Sequence, residues 1–384
     1  MSTVRNPVAG RVAIVGVGHT VQGELPGQSV EEIAVDAAVL AMADAGLDAS
    51  DLDGLIACKS VQGGGNDVAV GQLLGVNLPY VQSLDYGTCN FSLHLAVMAV
   101  MSGMAETILL TYGANARTGK FDFGKPMYGA DMASAAGLVH IAGRAGLALQ
   151  RHKAIYGTTD EQFGMLAVGQ RLWAQKNPGA IFQKPLTMED YLAEPYMVEP
   201  LRRSDVTMIS DGGVAVVVTT AERAKDMPHQ PVYVSGISEY AGVRGEHNPE
   251  NLMRPWLRDS ASAIWASTGL RPADVDALYI QDPTALWSLQ MLEYYGFCGI
   301  GEGGPFLAER HTFPGGDLPL NTHGGQLSDS YTWGWMHVVE AIRQLRGDAG
   351  ERQLDSPKIG MYCSSHGFVK AAASVLSTDS SVGR

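Results

Sequence analysis

Residues Leu318–Gly334 (LPLNTHGGQLSDSYTWG) concentrate groups capable of chemistry: His323, a Gly-Gly pair, two serines, Asp329 and Tyr331 within seventeen residues. An apolar, helix-like segment (WMHVVEAIRQLRG) follows at once. Polar groups held among glycines just ahead of a helix suit a backbone that approaches a ligand closely. Glycine leaves room for that approach, and a helix N-terminus offers N–H donors. An ordinary Gly/Asn turn accounts for the same residues, with His323 serving the loop backbone. Elsewhere, Cys363 and His366 flank a glycine turn in MYCSSHGF, and Asp282 precedes Pro283, where it could cap a turn. His94, His152 and His337 fall in helical segments and read as core or surface residues.

The elements around these groups are written twice. RVAIVGVG (11–18) reads as a buried strand, followed by the amphipathic helix VEEIAVDAAVLAMADAG with acidic residues in its first turn, and LDASDLDGLIACKS returns to a strand. PVYVSGIS (231–238), SASAIWASTGL and RPADVDALYIQD repeat the order. Gly46, Leu47, Asp51, Asp53 and Leu55 recur as Gly269, Leu270, Asp274, Asp276 and Leu278 (269 − 46 and 278 − 55 both give 223). A constant offset through helix stop, turn and strand indicates two copies of one βαβ-containing unit. SLDYGTCNFS (83–92) leads into the helix LHLAVMAVMSGMAE and the strand TILLTYG, as Leu318–Gly334 leads into its helix and then KIGMYCSS. Apolar strands, DGGVAVVVTT (211–220) and HGFVKAAASVLST (366–378), close the two halves. The expected fold is α/β: residues 1–225 and 226–384 as similar halves, with buried strands, covering helices and a long insertion at about 115–205 in the first. That insertion carries one clear helical piece, DEQFGMLAVGQRLWAQKNPG, and suits a lid or subunit contact. The Gly16-Val17-Gly18 turn lacks the third glycine of a dinucleotide fingerprint, since Val21 occupies that position.

At 384 residues, 46% hydrophobic and 17% charged, the chain has the composition of a globular enzyme. A net charge of -13 disfavours nucleic acid and anionic membranes as main partners. Cys58, Cys89, Cys298 and Cys363 form no CxxC pair, so neither a disulfide framework nor a zinc ribbon is expected. No signal pattern opens MSTVRNPVAGRVAIVG and no apolar run reaches membrane-spanning length, so a cytoplasmic protein is expected.

The duplicated unit with two glycine-rich loops resembles the thiolase superfamily across essentially the whole chain. SDGGVAVVVTTAERA is similar to that family's strand closing the first half, YIQDPTALWSLQMLEYYGFCGIGEGG to its short Asp-containing loop and helix, and NTHGGQLSDSYTWG to the loop presenting its catalytic histidine. The nearest branch is that of sterol-carrier and lipid-transfer-like thiolases and acyl-CoA aldolases. The resemblance implies a layered αβαβα thiolase fold and a CoA thioester as substrate, with no permanently bound cofactor and no metal. It also implies a homodimer that pairs through central strands and, in this branch, an OB-fold and zinc-ribbon partner protein.

Carried over by position, the family's nucleophilic cysteine falls on Tyr86, with Cys89 three residues later inside the following helix. The catalytic histidine falls on Tyr331, the histidine of the Asp-containing loop on Gln281 before Asp282, and the second cysteine at Cys363, near His366. Thiolases carry the acyl group on a thiolate, which a phenol with a pKa near 10 does not replace. Retro-aldol cleavage of a β-hydroxyacyl-CoA needs only a proton acceptor for the hydroxyl and donors for the enolate oxygen. Tyr331 matches the tyrosine of the aldolase loop, whereas Gln281 stands where aldolases carry tyrosine. The favoured expectation is an aldolase on an apolar, sterol-like chain; the alternatives are an acyltransferase using Cys89 or Cys363 and a non-catalytic acyl-CoA-binding subunit.

Overall fold

The computed structural model describes residues 6–85, 87–123, 125, 135–242 and 252–384; Tyr86 lies outside them. The first copy runs β1 (Val12–His19), α1 (Val30–Ala45), β2 (Gly54–Cys58), α2 (Asp67–Leu74), β3 (Tyr80–Leu84), α3 (Cys89–Met101), β4 (Thr107–Asn115) and β7 (Asp211–Thr220). Between β4 and β7 lie α4 (Ile141–Tyr156), α5 (Asp160–Ala174), α6 (Met188–Ala193) and a small hairpin of β5 (Tyr196–Val198) and β6 (Leu201–Arg202). The second copy comprises β8 (Val232–Ala241), α7 (Leu257–Thr268), β9 (Ala277–Ile280), α8 (Ala285–Tyr294), α9 (Gly303–Ala308), α10 (Gly325–Ser328), α11 (Trp335–Arg346), β10 (Ile359–His366) and β11 (Lys370–Ser377).

Residues at the 223 offset do the same local work. Gly46 and Gly269 end α1 and α7 in left-handed conformation at φ 68° and 69°, which costs glycine nothing. The Asp53 carboxylate accepts from the N–H of Glu106 and Thr107 at the start of β4. Asp276 accepts from Lys358 and Ile359 at the start of β10. The strand order β3-β2-β4-β7-β1-β8-β11-β10-β9 is correspondingly palindromic about β1 and β8, which pair only at Ala13–Tyr233 and Ile14–Val232.

Helix α1 covers the first half-sheet through β1, β4 and β7, and α7 covers the second through β8 and β11. Helices α3 and α11 touch strands of both halves and fill the space between them. The result is the layered αβαβα arrangement. Glycines set the α1 spacing: a Cβ on Gly16 or Gly18 would fall 2.2 Å or 2.3 Å from the backbone of Ala41. The Gly16-Val17-Gly18 turn therefore serves helix–sheet packing. The insertion holds three helices and a hairpin among the described residues, where the sequence predicts one helical piece. The α4 segment IAGRAGLALQRHKAIY begins glycine-rich, which weakens its helical signal. Packing supplies the rest: a Cβ on Gly146 would fall 3.3 Å from Glu199 O and from the Val198 side chain, so glycine lets α4 lie close against the hairpin. The last strand also begins later than expected, at Lys370, and His366 closes β10.

Candidate active site

The Leu318–Gly334 loop is fixed to the edge of β9. Leu278 N donates to Pro319 O and Asn321 N to Leu278 O, both at 2.9 Å. The Asn321 side chain continues the pairing, accepting from Ile280 N at 2.8 Å and donating to Ile280 O at 2.9 Å. Asn321, Gly324, Gly325, Trp333 and Gly334 all have positive φ, and the non-glycines among them, at 49° and 53°, hold backbone strain of a kind that clusters at functional sites.

Asp282, at the end of β9, is the centre of the loop's hydrogen bonding. It is fully buried; Oδ1 accepts from Gln326 N at 2.8 Å and from His337 Nε2 at 3.0 Å, and Oδ2 from Leu327 N at 3.4 Å. The carboxylate thus caps α10 and orients an imidazole at once. His323 meets His337 edge to face at 4.6 Å between centroids, and His337 lies against Tyr362 at 5.6 Å. Burial, with His337 and Arg352 nearby, holds the His323 pKa well below its ordinary value. Neither nitrogen of His323, nor Nδ1 of His337, has a hydrogen-bond partner among the described residues. The same holds for the side-chain amides of Gln326 and of Gln170, which reaches in from α5. A Cβ on Gly325 would sit 2.2 Å from Gln170 Oε1 and 2.4 Å from Asp282 Oδ2; one on Gly334 would sit 2.2 Å from the Tyr362 hydroxyl. Only glycine admits these groups.

Beneath the loop, Arg352 grips Glu340 through two hydrogen bonds, and Thr322 and Gln344 also donate to Glu340. Burial, with a smaller contribution from Glu340, pushes the Asp329 carboxyl up to about 7. Tyr331 is nearly buried, its backbone bound to Ser210 on both sides (Tyr331 N to Oγ 2.8 Å, Oγ to Tyr331 O 3.2 Å), with its ring edge-on to Phe123.

Cys89 is the first residue of α3, and the helix start is bound to the second half. The hydroxyls of Thr88 and Ser364 are 2.8 Å apart, and Asn90 donates to Ser364 and to the carbonyls of Tyr362 and Ala372. Burial raises the Cys89 thiol well above its ordinary range, with Cys58 nearby adding to the effect. Cys363 is equally buried and raised, and it packs with Met361 and Ile280 on the outer side of the second half-sheet. Cys89, Tyr331 and Tyr362 belong to the central cluster, so the two thiols occupy different layers. Gln281 is consumed in fastening strands: its N–H donates to Cys363 O and its Oε1 accepts from Ser365 N. His366 is half-buried opposite Lys370, its pKa lowered to about 4 by burial and by that lysine.

The structure therefore brings together Asp282, His323 and the glycine pair, and sets Cys363 apart from Cys89. His337 is the group sequence reasoning missed; its place in the first turn of the helix after the loop was the available signal. Among the described residues no set of three or more His, Cys, Asp and Glu side chains is arranged to hold a metal, and no helix is long and apolar enough to cross a membrane.

Two half-sheets with paired helices between them and a glycine loop leading into one of those helices define a thiolase-fold protein. Residues 244–378 match the family model described as Thiolase C-terminal domain-like. The chain is 34% identical to a steroid side-chain-cleaving aldolase of Thermomonospora curvata, over 88% of this chain and 91% of that one. It is also 34% identical to a 17-hydroxy-3-oxo-4-pregnene-20-carboxyl-CoA lyase of Mycobacterium tuberculosis, over 88% and 92%. A solved structure described as "Ltp2-ChsH2(DUF35) aldolase" superimposes with a TM-score of 0.88 at 33% identity, covering 96% of this chain and 98% of that one. The chain belongs to the thiolase superfamily, in the non-classical branch that includes acyl-CoA aldolases.

Proposed function

We propose that the protein is a carbon–carbon lyase that cleaves a β-hydroxyacyl-CoA with an apolar, sterol-like chain by a retro-aldol reaction. The hydroxyl proton leaves, the bond between the α and β carbons breaks to give a carbonyl product, and its electron pair forms the enolate of the shortened thioester. That enolate is then protonated at carbon. Tyr331 is the proposed first acceptor of the hydroxyl proton, in the loop position the aldolases fill with tyrosine.

The observation that carries this reading is the state of the thiols. Cys89 and Cys363 are fully buried, raised by desolvation, and packed in separate layers. An acyltransferase needs a thiolate beside a base, whereas burial favours the protonated form of both thiols. By similarity to the solved structure in which the aldolase is paired with ChsH2 (DUF35), a partner protein joins this chain, and the superfamily resemblance adds pairing as a homodimer.

The test is turnover of a synthetic β-hydroxyacyl-CoA with a branched apolar chain, reading carbonyl product and shortened acyl-CoA by mass spectrometry. Tyr331→Phe is expected to lower kcat by about 10²-fold or more, the usual scale for a general acid–base group. Full activity in that variant refutes the role of Tyr331, and iodoacetamide inactivation through Cys89 would establish the transferase instead.

A further inference from the structure

Residues 318–342 are buried without interruption, Tyr331 among them. Substrate therefore reaches that phenol where a neighbouring segment leaves a partly open surface. Residues 117–123, which are exposed or half-buried throughout, supply such a surface. Phe123 meets the Tyr331 ring edge to face, 6.2 Å between centroids, and Phe121 meets Phe123 in the same way at 4.8 Å. Both phenylalanines are half-buried, and Phe123 packs against the central apolar cluster that includes Tyr331.

Two consecutive residues where β7 begins fix these rings relative to one another. Ser210 clamps the Tyr331 backbone on both sides, accepting from its N–H at 2.8 Å and donating to its carbonyl at 3.2 Å. Asp211 is fully buried and holds the segment that carries the phenylalanines. Its Oδ1 accepts from Arg117 N at 2.8 Å and Thr118 N at 3.2 Å, and its Oδ2 accepts from Leu25 N at 2.9 Å. Phe121 N then closes the turn on Ala116 O at 2.9 Å. His140, edge-on to Phe123 at 6.3 Å, has its pKa lowered by burial and is uncharged at neutral pH. The two phenylalanines thus offer an aromatic surface at a fixed place beside the phenol, which is how pockets for hydrocarbon groups are lined.

In retro-aldol cleavage the group that takes the hydroxyl proton lies within about 3 Å of that oxygen. The carbon bearing the hydroxyl also bears the substrate's chain, so the first atoms of that chain lie beside the phenol as well. A chain that leaves this carbon toward the open side passes over Phe123. We propose that Phe123, backed by Phe121, receives the apolar group on the β-carbon and sets the bulk of chain the enzyme accepts. The proposal rests on the lyase reading above and names a specificity-determining residue for it. Phe123 contacts substrate through its ring and takes no part in proton transfer.

Two β-hydroxyacyl-CoAs that differ only at the β-carbon test this: one carries a fused-ring hydrocarbon there, the other only methyl groups. The measurements are kcat and KM for both substrates with wild type and Phe123→Ala. Phe123→Ala is expected to lower kcat/KM for the ring substrate about 10-fold or more, mainly through KM, and to change the methyl substrate by less than about threefold, the scale on which apolar pockets discriminate. An unchanged ratio of the two kcat/KM values, whether both substrates suffer or neither does, overturns the inference. Should Phe123→Ala not fold, Phe123→Trp takes its place: its larger ring is expected to crowd out the fused-ring group and lower the same ratio, and an unmoved ratio overturns the inference. If wild type cleaves neither substrate, the lyase reading falls by itself. The subsite is then decided by calorimetric Kd values for the ring-bearing acyl-CoA without its hydroxyl: weaker binding to Phe123→Ala supports it, and equal or absent binding to both proteins overturns it.

Discussion

Replacing Gly325 with alanine probes how the loop and Asp282 hold each other. Gly325 has φ 61°, a conformation that costs an alanine about 1–2 kcal/mol. Its Cβ would also lie 2.2 Å from Gln170 Oε1, 2.4 Å from Asp282 Oδ2 and 2.9 Å from Asn321 Nδ2. The Gln170 amide is the end of a flexible side chain and can move. Asp282 cannot move freely, because Gln326 N, Leu327 N and His337 all hold it. Displacing it weakens at least one buried hydrogen bond to a charged group, worth about 1.5–3 kcal/mol. The expected loss is therefore roughly 2.5–5 kcal/mol, with catalysis falling alongside because the loop that carries Tyr331 loses its anchor on Asp282. Gly347 is the control: it has φ 84° at the end of α11 with nothing near its missing Cβ, so Gly347→Ala carries only the backbone cost of about 1–2 kcal/mol. Urea unfolding midpoints and kcat are measured for both variants. If Gly325→Ala is no less stable than Gly347→Ala and keeps full turnover, the packing argument around Asp282 is wrong.

The native protein should leave Cys89 and Cys363 unmodified by iodoacetamide at pH 7.5 and expose both after unfolding, read by peptide mass spectrometry, because burial keeps both thiols protonated. Asp329, raised to about 7, keeps its proton in the folded chain at pH values where the unfolded chain, with a value near 4, has lost it. Its contribution to stability therefore declines as pH rises from about 4 to about 7, and Asp329→Asn should flatten that part of the stability profile relative to wild type, by roughly 2–4 kcal/mol. Asp205, raised to about 7 by burial, is present in both proteins and leaves the difference intact. Asp53→Ala and Asp276→Ala should each cost about 1 kcal/mol in urea unfolding and add in the double variant, since they cap different strands; strong non-additivity would contradict equivalent, independent roles.

The repeat was legible because its markers are local. A glycine ending a helix and an aspartate accepting from the first amides of a strand obey the same capping chemistry in any fold, so Gly46/Gly269 and Asp53/Asp276 announced two copies before any contact was known. Helix α4 was not legible, since its glycine-rich start depends on the hairpin packed against Gly146. His337 was hidden for a related reason. In sequence it is one residue of an apolar helical stripe, and its partner lies 55 positions away across a loop and a sheet edge.

The sequence by itself determined the thiolase architecture and the tyrosine at position 331, because repeat offset, glycine placement and residue type are properties of the chain. Tertiary structure decided what the remaining candidates can do. Neighbouring strand residues point to opposite faces, and only the assembled layers reveal that Cys363 lies on the outer side while Tyr362 faces the centre. Burial depends on the same assembly: it keeps the thiols protonated and His323 neutral, and it sets His337 against Asp282 alongside two loop amides. Desolvation and long-range pairing exist only once distant segments are packed, and they convert a glycine-rich loop into a site where two imidazoles meet, one of them bound to a buried carboxylate.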